Sequence, residues 1–104
     1  MKLKTIRLCA EPFARSHGLY LVDHVTNTVE HLDLEVFPLS AGLTSRLALW
    51  YNEHESNAAL DEQQVIAMQS ELRAMDELGI ELLELVANEI GPGYDFGYEY
   101  LSVP

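Results

Sequence analysis

The spacing of apolar and polar positions predicts three strands, two helices and a closing strand. Alternation in residues 2–9 is imperfect, but Ile6 and Leu8 followed by the Glu11-Pro12 break predict a first strand. Residues 19–23 and 30–36 flank the turn-forming Thr26, Asn27 and Thr28, which predicts a hairpin. A two-residue loop at Asn27 and Thr28 would set Leu21 opposite Leu34, Tyr20 opposite Glu35 and His24 opposite His31. Because strand side chains alternate, Leu19, Leu21, Leu32, Leu34 and Val36 then form a core face. Tyr20, Val22, His24, His31, Asp33 and Glu35 form a wetter one.

Pro38 stops that strand, and Ser40 is a good N-cap for a helix running to about Glu53. Leu43, Leu47, Trp50 and His54 recur on one side of it, with Trp50 as its anchor. After a polar stretch at 52–59, Asp61 with Gln64 three residues on reads as a capping-box variant opening a second helix. Val65, Met68, Leu72, Met75, Leu82, Leu83, Val86 and Ile90 keep to one stripe until Gly91 and Pro92 end it. A helix over residues 62–90 would extend ~44 Å, longer than a domain of this size accommodates, so a bend is expected, most naturally at Gly79. Tyr94, Phe96, Tyr98 and Tyr100 alternate with Asp95, Gly97 and Glu99, the period of a last strand with an aromatic face. The expected fold is α+β: a single domain over residues 1–104, β-β-β-α-α-β, with three to four mostly antiparallel strands packed against two helices.

At 104 residues, 48% apolar and 22% charged, the chain has the composition of one soluble folded domain. Its 17 Asp and Glu against six Lys and Arg leave a net charge of −11. Lys2, Lys4, Arg7 and Arg15 against Glu11 make residues 1–15 locally positive, so the acidity belongs to the body of the chain. Such a charge repels phosphate backbones and anionic lipid, so neither nucleic acid nor membrane is an expected partner and a basic protein is. One cysteine, Cys9, cannot form an internal disulfide, and the start lacks the apolar run of a signal peptide. Nor does any stretch reach the length of a membrane span, so the expected compartment is the cytoplasm.

No catalytic signature is present, and no cofactor is expected. His24, His31 and Asp33 could converge on one strand face and offer zinc- or nickel-type ligands, but they lack a helical His pair or a Cys partner, and a solvated face is the expected reading. Cys9 has no activating context and reads as a small buried hydrophobe. Gly91, Pro92 and Gly93 follow a helix rather than precede one, so they are a stop signal and not a phosphate loop. Carboxylate pairs such as Asp61 with Glu62 and Asp76 with Glu77 lack the apolar pocket that acid–base catalysis needs. Glu77, Glu81 and Glu84 lie opposite the apolar stripe, an anionic strip on the exposed side of the second helix. Like charges four residues apart cost a helix a few tenths of a kcal/mol, a cost tolerable where the field speeds capture of a cationic partner.

The run Gly18, Leu19, Tyr20, Leu21, Val22, Asp23 resembles a family of small acidic bacterial proteins. So do Phe37, Pro38, Leu39 and Ser40 ahead of Leu43, Leu47 and Trp50, and the closing Gly91, Pro92, Gly93 and Tyr94. These are the immunity proteins of contact-dependent growth inhibition and related polymorphic toxin systems, and the resemblance spans residues 18–100. It implies a non-enzymatic protein, monomeric when free, that binds and neutralises a cognate toxin domain. A nuclease is the expected toxin, since a nuclease must be cationic to hold its substrate. The expected contacts are first Tyr20, Asp33 and Glu35 on the hairpin, then Asp95 and Glu99 on the last strand, with Glu77, Glu81 and Glu84 on the second helix. The alternatives are an adaptor domain, homodimeric through the aromatic face of residues 94–100 or a free strand edge, and a metal-dependent enzyme using His24, His31 and Asp33.

Overall fold

In a computed structural model, describing residues 3–10, 17–54 and 60–102, the chain is α+β, with helices packed on a four-stranded mixed sheet. The Glu11-Pro12 break, most of the polar stretch after the first helix and the side chain of His54 lie outside the described residues. Strands β1 (Lys4–Leu8), β2 (Leu19–Asp23), β3 (Thr28–His31) and β4 (Asp95–Tyr98) lie in the order β3-β2-β1-β4. β1 pairs antiparallel with β2, and β2 with β3. β4, which returns after the helices, runs parallel to β1, as a long crossover connection permits.

The register sorts the faces as the alternation predicts. Ile6 opposes both Leu21 and Phe96, and Leu8 opposes both Leu19 and Tyr98, so these six side chains share the face that meets the helices. Ile6, Leu8 and Leu19 are fully buried there with Leu43, Leu47, Trp50, Leu82, Leu83 and Val86.

The hairpin corrects one expectation. Its loop is residues 24–27, not a two-residue turn, and the register is Tyr20 opposite His31 and Leu21 opposite Glu30. Two local features build the longer turn. The Asp23 carboxylate accepts the amides of Val25 (2.9 Å) and Thr26 (3.2 Å), and Asn27 takes a left-handed φ of 55°, which asparagine tolerates. The register moved by four residues, an even number, so the paired residues of β2 and β3 kept their expected faces; Val36, expected on the core face, lies beyond the end of β3 and is 66% exposed. β3 also stops at His31. Asp33 then folds the chain into a turn, its carboxylate accepting the Glu35 amide at 2.9 Å and its carbonyl those of Val36 (3.1 Å) and Phe37 (2.9 Å). Asp33 and Glu35 therefore sit in a turn and not on a strand face, because the Asp33 side chain competes for amides a ladder would need.

Helix α1 (Ala41–His54) starts where Ser40 predicts, with the Ser40 hydroxyl accepting the Leu43 amide at 3.3 Å. Helix α2 (Glu62–Ala67) carries the expected capping box: Asp61 accepts from the Gln64 amide (2.8 Å) and the Gln64 side chain from the Asp61 amide (3.0 Å). The bend falls at Met68 (φ −103°, ψ 18°), not at Gly79, and α3 (Gln69–Ile90) runs unbroken to the Gly91 cap at φ 88°. Twenty-two residues make α3 about 33 Å long, which fits the 38 Å longest dimension of the fold. Gly79 is retained in its middle for packing: a Cβ there would stand 2.5 Å from Cε1 of Tyr98.

Candidate functional site

The stripe of α3 is interrupted by one charged residue. Asp76 follows Leu72 by four positions and precedes Gly79 and Leu83 by three and seven, so helical periodicity places its carboxylate among core side chains. It is only 3% exposed. A buried carboxylate is tolerated only when its oxygens are satisfied, and here four donors reach it. The Tyr98 hydroxyl (2.7 Å) and the Leu101 amide (2.8 Å) donate to one oxygen; the Ser102 amide (3.0 Å) and hydroxyl (2.6 Å) donate to the other. Burial and, after it, the hydrogen bond to Asp76 push the Tyr98 hydroxyl well above the usual phenol range, so it stays protonated and donating. With both oxygens committed, Asp76 is a clamp that fastens the segment after β4 to α3 and is not available as a general base. Its place in the apolar stripe was the sequence signal for this network.

A second polar link joins the helices. Glu89, near the end of α3, accepts from the Ser40 amide (2.6 Å) and hydroxyl (2.7 Å) and so holds the start of α1 against α3. Just before β2, His17 is buried, its Nδ1 accepting the Leu19 amide at 2.9 Å. Burial first, then the neighbouring His31, hold its pKa below the ordinary 6.5, against the opposing effect of a hydrogen bond to the Leu32 backbone.

The carboxylates expected to meet a partner are divided among separate surfaces. Glu77, Glu81 and Glu84 are exposed on the side of α3 opposite the buried stripe, as periodicity predicts. None of the three makes a hydrogen bond or ion pair among the described residues, and Arg73 is the one cation on α3. Asp95, half-buried, and Glu99, exposed, belong to the sheet face turned away from the helices. Asp33 and Glu35 are exposed on the turn after β3. Tyr20 corrects the expectation of a wet hairpin face: it is 9% exposed. It stands on the outer sheet face between Arg7 and His31, with the His31 ring centroid 5.0 Å from its own. Three bulky neighbours in one rung cover one another, so alternation alone does not make a strand face wet.

The aromatic alternation of β4 is mostly spent inside the fold. Tyr94 meets Phe37 edge-on (5.4 Å), and Tyr98 packs against Trp50 (6.2 Å), whose indole nitrogen donates to the Met75 carbonyl at 3.1 Å. Tyr100 departs from this. It is 63% exposed, and it was expected at an interface only in the alternative reading of a dimer through the aromatic face of residues 94–100.

The His24, His31 and Asp33 set is not assembled. His24 shares a 2.8 Å hydrogen bond with Thr5, His31 stacks on Tyr20, and Asp33 caps its own turn. Among the described residues no group of three or more His, Cys, Asp or Glu is placed to hold a metal ion. Cys9 is buried just past β1, its amide donating to the Gly18 carbonyl at 2.9 Å. No helix among the described residues is long and apolar enough to cross a membrane. Comparison of the chain with protein-family models, with curated proteins and with solved structures finds no match in any of the three, so its reading rests on its own residues.

Proposed function

We propose that this protein is an immunity protein that binds a cationic toxin domain, a nuclease, and neutralises it through the outer face of α3. The observation that carries the reading is the strip Glu77, Glu81 and Glu84, solvent-facing and without ion-pair partners among the described residues. Its self-repulsion works against the helix that bears it, while a straight α3 with its stripe buried presents the three carboxylates on one side. Placed over the groove in which a nuclease holds its substrate, such a strip substitutes for phosphate charge and excludes the substrate by occupying its site. Asp33, Glu35, Asp95 and Glu99 lie on other surfaces and widen the acidic field that steers the encounter. Tyr20 is assigned to the fold.

The test is a search beside this chain's gene for a reading frame encoding an exported protein with a basic C-terminal domain, followed by co-expression of the chain with that domain; a neighbourhood with no such frame counts against the reading. The wild-type chain should restore growth and bind that domain at a rate that falls steeply from low to high salt, since exposed charges are screened beyond about 10 Å at 0.1 M. Replacing Glu77, Glu81 and Glu84 with Gln should abolish protection while leaving the thermal melt unchanged or raised. Full protection by the Gln variant would remove α3 as the binding surface, and no effect of the wild-type chain on the toxin would remove the function.

A further inference from the structure

We infer that His17 is a proton-operated latch at the far end of the hairpin: its neutral imidazole joins the start of β2 to the end of β3, and protonation releases the join. Beyond the pair Tyr20 and His31, an antiparallel ladder would bring Leu19 and Leu32 together, each donating its amide to the other's carbonyl. Half of that exchange is direct, the Leu32 amide donating to the Leu19 carbonyl at 3.0 Å. The Leu19 amide donates instead to Nδ1 of His17 at 2.9 Å, and the His17 ring in turn hydrogen-bonds the Leu32 backbone. The imidazole thus completes the last rung, and β3 ends at His31.

A charged ring cannot fill this place. One ring nitrogen must accept while the other donates, and an imidazolium has two N–H groups and no acceptor. A proton on Nδ1 would face the Leu19 N–H, donor against donor. The charge would also lack a counterion. From β3 the facing group is His31, whose Nδ1 is buried without a hydrogen-bond partner, and Arg7 of β1 stands in the same rung as His31 with Tyr20 between them. Cys9, just past β1, and Tyr51 of α1 lie beside Gly18 and bring no carboxylate. Asp33 is exposed, its carboxylate committed to the Glu35 amide. Among the described residues no carboxylate pairs with either imidazole.

Release at this point is local. Thr28, Val29 and Glu30 are exposed, so besides its ladder β3 is held by the ring contact of His31 with Tyr20 and by the buried Leu32 that follows it. Elements with few buried apolar contacts open at lower cost than the fold as a whole. What comes free is the turn after β3, with Asp33 and Glu35 on it. The latch does not depend on the function proposed above.

The test is an acid titration of isotopically labelled protein from about pH 7.5 to about 4.5, read by nuclear magnetic resonance. The His17 ring should titrate below 6.5, and the Leu19 amide shift should follow with the same midpoint. Protection of the Leu32 amide against exchange should fall about tenfold per pH unit between 6.5 and that midpoint, while Leu82 in α3 keeps its native shift. His17→Asn retains an acceptor that does not titrate, so both responses should vanish in it. His31→Gln removes the neighbouring charge and should move the midpoint up toward 6.5. Leu19 and Leu32 signals that ignore the titration of His17, the same transition in His17→Asn, or an unmoved midpoint in His31→Gln would overturn the inference. So would a ring still neutral at the acid end of the range. Loss of the native Leu82 shift at the His17 midpoint would overturn it as well, because His17 would then be a core group whose protonation unfolds the whole chain.

Discussion

Gly79→Ala sets two physical effects against each other in a way that tests the central packing of the fold. In an exposed helix interior, alanine is more favourable than glycine by about 1 kcal/mol, and α3 runs straight through this position. At Gly79, however, the new methyl would lie 2.5 Å from Cε1, 2.9 Å from Cζ and 2.8 Å from the hydroxyl oxygen of Tyr98. Carbon atoms attract best at about 3.5–4.0 Å, so the ring must retreat by about 1 Å. That movement breaks the 2.7 Å bond to Asp76 and loosens the contact with Trp50. A hydrogen bond to a charged group contributes about 1.5–3 kcal/mol and an aromatic pair about 0.5–1.5 kcal/mol. Offset by the helix gain, the net loss is about 1–3.5 kcal/mol. Urea unfolding followed by Trp50 fluorescence measures it, with Trp50 reporting directly because its ring adjoins Tyr98. Gly42→Ala in α1, where an added Cβ meets no atom within 4 Å, is the control and should leave stability unchanged or raised. In a Tyr98→Leu background the obstacle is gone, and Gly79→Ala should then stabilise by up to about 1 kcal/mol. If Gly79→Ala alone is as stable as the parent, or if its effect is the same in both backgrounds, the close approach of Tyr98 to α3 is not what retains the glycine.

Two further outcomes follow from buried groups. Trp50→Ala should cost about 3–5 kcal/mol in a chemical melt, since the side chain is 1% exposed and its loss empties the space between α1, α3 and β4; a loss below 1 kcal/mol would mean that the core does not depend on it. The folded-state pKa of His17 is lowered, so below about pH 6.5 the unfolded chain takes up a proton that the native ring resists. The stability due to neutral His17 is therefore present above that pH and lost as pH falls through 6.5 toward the native value. The urea midpoint should drop more between pH 7.5 and 5.5 for the parent than for His17→Asn. Equal drops in the two proteins would assign the pH dependence to other groups.

Caps and stripes were legible because they are local. Ser40, Asp61 with Gln64, and Gly91 each act on amides or carbonyls within four residues, so position along the chain is enough to recognise them. The anionic strip was legible for the same reason, since a helical wheel places Glu77, Glu81 and Glu84 opposite Leu72, Leu83 and Val86 without reference to anything else. The hairpin register and the end of β3 were not, because the Asp23 and Asp33 carboxylates compete with the ladder for backbone amides and the winner depends on how the whole turn closes. The bend in the second helix was expected at its weakest residue, but Gly79 sits where Tyr98 needs room, and the break fell to Met68.

By itself the sequence determined the class of fold, the element order, the core face of each strand and the excess of negative charge, all set by periodicity and composition. Tertiary structure alone decided that β4 lies parallel beside β1, that Tyr20 is covered by neighbours from two other strands, and that Asp76 collects donors from 22 or more residues away to pin the segment holding Tyr100. Each of these joins residues distant in sequence, where the packing of three dimensions and not the spacing of one dimension sets which groups meet.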